Sequence, residues 1–153
     1  MARMEEILRT LATGEATLAA LEGMTAAEAY AIADYGWTLL SQGRVGAAEV
    51  IFETLAIGNP RHAYFHALHG AALQRLDRVT EAIDAYGRAL SLDPNESGAL
   101  VNRAELLLGR GADGDADEVA ALLERALRLD PEAVRPETRR ARALVAAIAE
   151  RVV

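Results

Sequence analysis

Residues 63–96 read AYFHALHGAALQRLDRVTEAIDAYGRALSLDPNE. Apolar residues recur at three- and four-residue spacing through His62–Leu76 and again through Val79–Leu92, which predicts two helices joined by a short turn at Asp77. Small residues stand at fixed places among larger ones: Gly70, Ala82 and Ala89 beside Leu73 and Tyr86, with Pro94 after an Asp at the end. A pair of helices patterned in this way has one face that it cannot bury alone, so the rest of the chain must supply neighbours.

It does so by repetition. Pro60 lies 34 residues before Pro94, and Pro131 lies 37 after it. Counting from Ala29 puts Ile32, Tyr35, Gly36, Leu39, Ala48, Phe52, Leu55 and Pro60 on the places held in the quoted unit by His66, His69, Gly70, Leu73, Ala82, Tyr86, Ala89 and Pro94. A third unit starts at Ser97 with Leu100, Arg103, Ala104 and Leu107, and after three inserted residues resumes at Val119, Leu123, Ala126 and Pro131. A 34-residue period with small and large residues at these places is that of the tetratricopeptide repeat. The physical sense is packing: Gly36, Gly70 and Ala104 let the first helix of each unit meet the second, where Ala48 and Ala82 are small in turn, and Phe52 and Tyr86 are expected to fill the space between neighbouring units. Each proline is expected to stop one helix and open the next.

The fold expected is all-α: a tetratricopeptide-repeat superhelix of three helix pairs, with an N-terminal arm over residues 1–25 and a repeat array with capping helix over 26–153. Helices are predicted at 26–42, 45–57, 62–76, 79–92, 96–108, 115–129 and 136–152, the first opened by a capping box of Thr25 and Glu28. In the last, Ala141, Leu144, Val145, Ile148 and Val152 form an apolar stripe, with Arg139, Arg140 and Arg142 mostly off it, as an end cap requires. The arm carries a short helix over 5–12 and an apolar segment over 17–21. Ile7, Leu8 and Leu11, with Leu18 and Leu21, are an apolar edge too short to stand alone, so it packs on the array or on a second copy.

Composition agrees and narrows the function. The 153 residues suffice for one domain, 52% are hydrophobic, only 5% aromatic, and Ala supplies 33 positions. Twenty-three acidic residues face 16 basic ones, all Arg, for a net charge of -7; a nucleic-acid partner is not expected. With no Cys, disulfides, thiolate nucleophiles and thiolate-bound zinc are excluded. The N-terminus lacks the unbroken apolar run of a secretory signal, and no stretch is apolar for long enough to span a membrane, so the chain is expected to be soluble and cytoplasmic, with no membrane insertion.

Two clusters invite a metal reading. His62, His66 and His69 share a helix face, but His66 and His69 occupy repeat positions that pack against the second helix, and no acidic partner is near in sequence. Asp113, Asp115, Asp117 and Glu124 match four ligand places of a calcium loop, yet Glu118 stands where the sharp turn needs Gly, and an acidic first helical turn explains the same residues. No paired carboxylates, activated nucleophile or phosphate loop is present, so neither an enzyme nor a cofactor is expected.

The surface made by stacking is the remaining candidate. The resemblance to this repeat implies that positions 2, 5, 9 and 12 of each first helix line the inner wall. Here these are Tyr30, Ala33, Trp37 and Leu40; Tyr64, Ala67, Ala71 and Gln74; and Gly98, Val101, Glu105 and Leu108. The only Trp and two of four Tyr fall on this wall, which suits an extended apolar segment of a protein partner. The alternative is that the arm or the final helix folds over these rings. The repeat's clamp for a C-terminal carboxylate needs Lys and Asn on the wall; this chain has no Lys and only Asn102 near the place.

The segment GEATLAAL over 14–21, with Met24 and Thr25 ahead of the first repeat helix, then Gly43, Ala48, Phe52, Leu55, Phe65, Gly70, Ala71, Ala82, Ile83 and Tyr86, resembles the class II type III secretion chaperones, over about residues 14–130. The resemblance implies a homodimer or monomer whose groove holds an extended stretch of a hydrophobic translocator protein and keeps it soluble before secretion. Groove residues carried over are Trp37 and Leu40, with Ala33, Tyr64, Ala67 and Ala71 beside them. The family commonly has Tyr at the places of Ala33 and Leu40, and Arg103 departs from the apolar residue that the repeat prefers. A general protein-interaction scaffold is the second reading, and a partner of transcription regulators the third.

Overall fold

The computed structural model describes residues 2–13 and 22–152, and every element among them is an α-helix. The order is α1 (Ala2–Thr13), α2 (Ala26–Ser41), α3 (Val45–Gly58), α4 (Ala63–Arg75), α5 (Val79–Leu92), α6 (Ser97–Arg110), α7 (Asp115–Leu129) and α8 (Pro136–Val152). From α2 onward each helix packs on the next in sequence, and α2, α4, α6 and α8 also touch one another in a row. These first helices of each pair therefore make one continuous wall, with α8 in the place of a fourth.

The close approach within the first two pairs is set by an aromatic ring lying on a glycine of its own unit, which corrects the expectation that the rings sit between neighbouring units. A Cβ on Gly36 would come within 2.4 Å of the Phe52 ring, and one on Gly70 within 2.8 Å of the Tyr86 ring. Both rings are fully buried, as are Ala48 and Ala82 beside them. Removing each ring from water contributes on the order of 1.5–3 kcal/mol. In the third pair no ring is used, and Leu100, Ala104, Val119, Leu123 and Ala126 pack with Ala141 of α8.

The period extends to the backbone. Gly43, Asp77 and Gly111, each 34 residues apart, all take the left-handed conformation, with φ of 78°, 60° and 62°. The turn between the two helices of a unit demands it. Glycine meets the demand without steric cost, and Asp is among the few L residues that tolerate it. The three inserted residues of the third unit are absorbed by carrying α6 to Arg110, lengthening the turn and adding to the first turn of α7. Thr25 and Glu28 form the expected capping box of α2. Pro60, Pro94 and Pro131 lie in the turns between pairs, two or more residues ahead of the following helix, so they end one helix without opening the next. Pro136 alone occupies a first helical position.

Arg103 has a defined task. Its Nη1 donates to the Ile83 carbonyl of α5 at 2.5 Å and its Nε to Glu118 of α7 at 2.7 Å. Gly87 leaves the room: a Cβ there would stand 2.6 Å from Nη1. The apolar contact usual at this place is thus replaced by a guanidinium that ties the second unit to the third.

Helix α1 packs on α3, and Ile7 and Leu11 are buried in the core of the first two units, with Leu8 partly buried beside them. Leu18 and Leu21 lie outside the described residues.

Gly36→Val should destabilise the protein by about 1–3 kcal/mol through overpacking. Adding Phe52→Leu should recover part of the loss, giving a coupling of about 0.5–3 kcal/mol. Urea unfolding followed by circular dichroism measures both; additive effects would refute the ring-on-glycine account.

Candidate functional site

The wall made by α2, α4, α6 and α8 has an aromatic half and a polar half. In the aromatic half, Tyr30 is 45% exposed and Trp37 42% exposed, whereas Tyr64 is half-buried between them. The rings are held in place by one another. The Tyr30 hydroxyl is 3.0 Å from His62 Nε2, His62 stacks on Phe65 with centroids 4.1 Å apart, and Trp37 Nε1 donates to the Tyr64 hydroxyl at 3.3 Å. The Trp37 and Phe52 rings meet in an edge-type arrangement, with centroids 6.1 Å apart. Exposed aromatic faces anchored in this way are preorganised, so little rotamer freedom remains to be lost on binding.

The remaining wall positions lie at different depths. Ala33, Leu40 and Val101 are buried beneath the surface, at 1%, 3% and 0% exposure, while Ala67 is nearly so. Ala71, Gln74, Gly98, Glu105 and Leu108 are half-buried. Two adjoining hollows open along the groove. One, of about 240 Å³, lies over Trp37, Tyr64, Ala67, Ala71, Tyr86 and Asn102. The other, of about 260 Å³, has Trp37, Leu40, Ala71 and Gln74 on one side and Asn102 and Arg140 on the other. Neither hollow is lined by α1, and α8 reaches them only through Glu137 and Arg140. Among the described residues, therefore, the groove is not covered by the chain itself.

In the polar half a chain of hydrogen bonds crosses the floor. The Tyr86 hydroxyl donates to Gln74 Oε1 at 2.8 Å, Asn102 Nδ2 donates to the Tyr86 hydroxyl at 3.2 Å, and Arg140 Nη2 donates to Asn102 Oδ1 at 2.8 Å. Arg140 Nη1 lies 3.4 Å from Glu105. Burial pushes the Tyr86 phenol well above its ordinary range, opposed in part by the Asn102 bond, so it stays protonated and remains a donor. At the rim, Glu96 caps α6 by accepting from the Ala99 N–H at 2.6 Å, and burial raises its carboxyl pKa against that bond.

Arg140, Glu137 and Tyr86 are groove residues that the repeat count missed. A signal for two of them exists: taking Pro136 as position 1 of a fourth first helix puts Glu137 at position 2 and Arg140 at position 5, both wall positions. Tyr86 belongs to a second helix, and no wall position points to it.

The three histidines do not converge. His62 faces Tyr30, His66 Nε2 meets the Pro60 carbonyl at 2.9 Å, and His69 Nε2 meets Glu49 Oε1 at 3.0 Å. Possible ligand atoms of Glu49, Glu53 and His69 lie within 4.8 Å of one another, which could hold a metal ion. Glu49, however, already has Arg78 Nη1 at 3.4 Å as well as His69, so a cation is supplied by the protein. Asp115 is bound by Arg110 through two hydrogen bonds of 2.8 and 2.9 Å at the start of α7, which accounts for the acidic run beside it.

Comparison with protein families matches a tetratricopeptide repeat model over residues 63–96, the second unit alone. No curated protein matches. Among solved structures, the type III secretion chaperone SycD of Yersinia enterocolitica, in complex with a peptide of the translocator YopD, is 21% identical, with a TM-score of 0.68 over 85% of this chain and 95% of that one. PcrH in complex with the chaperone-binding region of PopD is 24% identical, with a TM-score of 0.70 over 86% and 98%. A type III secretion complex from Aeromonas hydrophila is 23% identical, with a TM-score of 0.71 over 96% and 97%. The fold is thus shared across nearly the full length of each: an all-α array of tetratricopeptide-type helix pairs.

Addition of zinc at tenfold molar excess should leave the melting temperature unchanged, because His69 and Glu49 are already bonded to each other, with Arg78, itself held by Glu81, at 3.4 Å from Glu49. A rise that disappears in His69→Ala would establish a metal site there.

Proposed function

We propose that this chain is a cytoplasmic, non-enzymatic chaperone that holds an extended apolar segment of a type III secretion translocator in its groove and keeps the client soluble before secretion. The observation that carries the proposal is the open aromatic half of the wall. The only Trp of the chain and Tyr30 stand nearly half exposed, and helix α1 packs on α3 and not over them. Apolar rings left uncovered on a folded protein serve contacts with something else. The structural neighbours bound to translocator peptides share this architecture and lend the client its class.

The groove residues in this reading are Tyr30, Trp37, Tyr64, Ala67 and Ala71 at the surface, with Ala33, Leu40 and Val101 as the floor beneath and Gln74, Glu105 and Leu108 along the far half. Leu40 lies at the floor of the hollow beside Trp37, and that hollow is the seat for a client side chain. The mechanism is mass action: occupancy of one apolar segment lowers the concentration of free, aggregating client, and no nucleotide enters. No helix among the described residues is long and apolar enough to cross a membrane, in keeping with a carrier that stays in solution. A homodimer is compatible with this role, but pairing through Ile7 and Leu11 would have to uncover residues now in the chain's own core.

Trp37→Glu should weaken co-purification of a translocator co-expressed from the same genome by about 2–4 kcal/mol, roughly 30- to 1000-fold. Since Trp37 is nearly half exposed, the melting temperature should hold within a few degrees. Undiminished co-purification would refute the groove assignment.

A further inference from the structure

We infer that the groove selects an acidic side chain in the bound segment, taken by Arg75 and Arg140 beside the apolar seat at Trp37 and Ala71; this rests on the groove reading above and names what the partner must carry. The chain is acidic overall, at -7. Yet the hollow beside Trp37 is lined by two arginines and, among the described residues, by no carboxylate. Its other polar groups are already satisfied by one another: the Tyr86 hydroxyl by Gln74 and Asn102, and Asn102 in turn by Arg140. The arginines are not satisfied to the same degree. Arg75 lies in the last turn of α4 and makes no hydrogen bond or ion pair among the described residues. Arg140 is aimed by its 2.8 Å bond to Asn102 Oδ1, while its contact with Glu105, at 3.4 Å, is long for a charge-assisted bond.

Unlike the adjoining hollow, where Glu96 and Glu137 stand beside Arg140, this one presents two guanidiniums whose donors are only partly taken up, by Asn102 and at long range by Glu105. A carboxylate entering this hollow meets planar donors suited to it. The neighbouring surface of Trp37, Leu40 and Ala71 accepts only apolar atoms. The partner segment is therefore bipartite, with an apolar anchor and an Asp or Glu at a fixed spacing from it. The carboxylate is a side chain within the segment, because the hollow adjoins the one over Tyr64 and Ala67 and an extended chain can run on through both.

Selection of a random dodecapeptide library, displayed with the C-terminus fused to a carrier so that no free terminal carboxylate exists, tests this on the full-length protein. Recovered peptides should show an apolar residue followed or preceded at constant spacing by Asp or Glu, enriched about threefold, as expected for a half-exposed ion pair. In the variant Arg75→Gln/Arg140→Gln the acidic enrichment should fall to the library level while the apolar preference persists. Arg75→Gln alone, which removes no internal bond, should lower it in part. Apolar peptides without acidic enrichment, or enrichment that survives the double variant, would overturn the inference. Absence of any apolar preference, or one unaffected by Trp37→Glu, would instead overturn the groove reading and this inference with it.

Discussion

The contact between a ring and a glycine is what the rest of this structure depends on. Phe52 lies on Gly36 and Tyr86 on Gly70 at distances that no Cβ would allow, so the two helices of a unit approach more closely than any larger residue permits. The same rings extend to the groove. The Phe52 ring backs Trp37, and the Tyr86 hydroxyl emerges on the floor as the donor to Gln74. Packing and binding surface are therefore one object: a change that moves either ring moves the wall. The third unit has no such ring and is held instead by the Arg103 bridge between α5 and α7 and by α8 across its end.

From this follows the division of the groove. Where the first two units meet, the wall is aromatic and preorganised, through Tyr30, Trp37, Tyr64 and His62. Toward the cap it turns polar, because α6 and α8 contribute Asn102, Glu105 and Arg140. A partner in extended conformation would meet apolar surface first and guanidinium next, which gives the groove a direction.

Much of the architecture was legible because the repeat period is imposed by geometry that recurs every 34 residues, down to the left-handed residues at 43, 77 and 111. The helix ends agree with the reading to within two residues except at α1, which runs three residues further at its start. Tyr30 and Trp37 were legible as wall residues because position within a repeat fixes the face. What was hidden depends on partners far along the chain. The docking of Ile7 and Leu11 on α3, the Arg103 bridge over Gly87, and the pairing of His69 with Glu49 each join residues that no local pattern connects. Arg140 was read as solvating because the cap was not counted as a fourth first helix. Depth was also illegible: a wall position says which way a residue points, whereas Ala33, Leu40 and Val101 are sealed by the larger side chains around them.

Since Trp37 is the only tryptophan, its fluorescence reports the groove and nothing else. Acrylamide quenching of Trp37, measured as a tryptophan-free translocator segment is titrated in, tests the central claim most directly. The account predicts a saturable loss of quenching as the segment covers the exposed indole. Binding detected by co-elution with quenching unaltered would place the client elsewhere and contradict it.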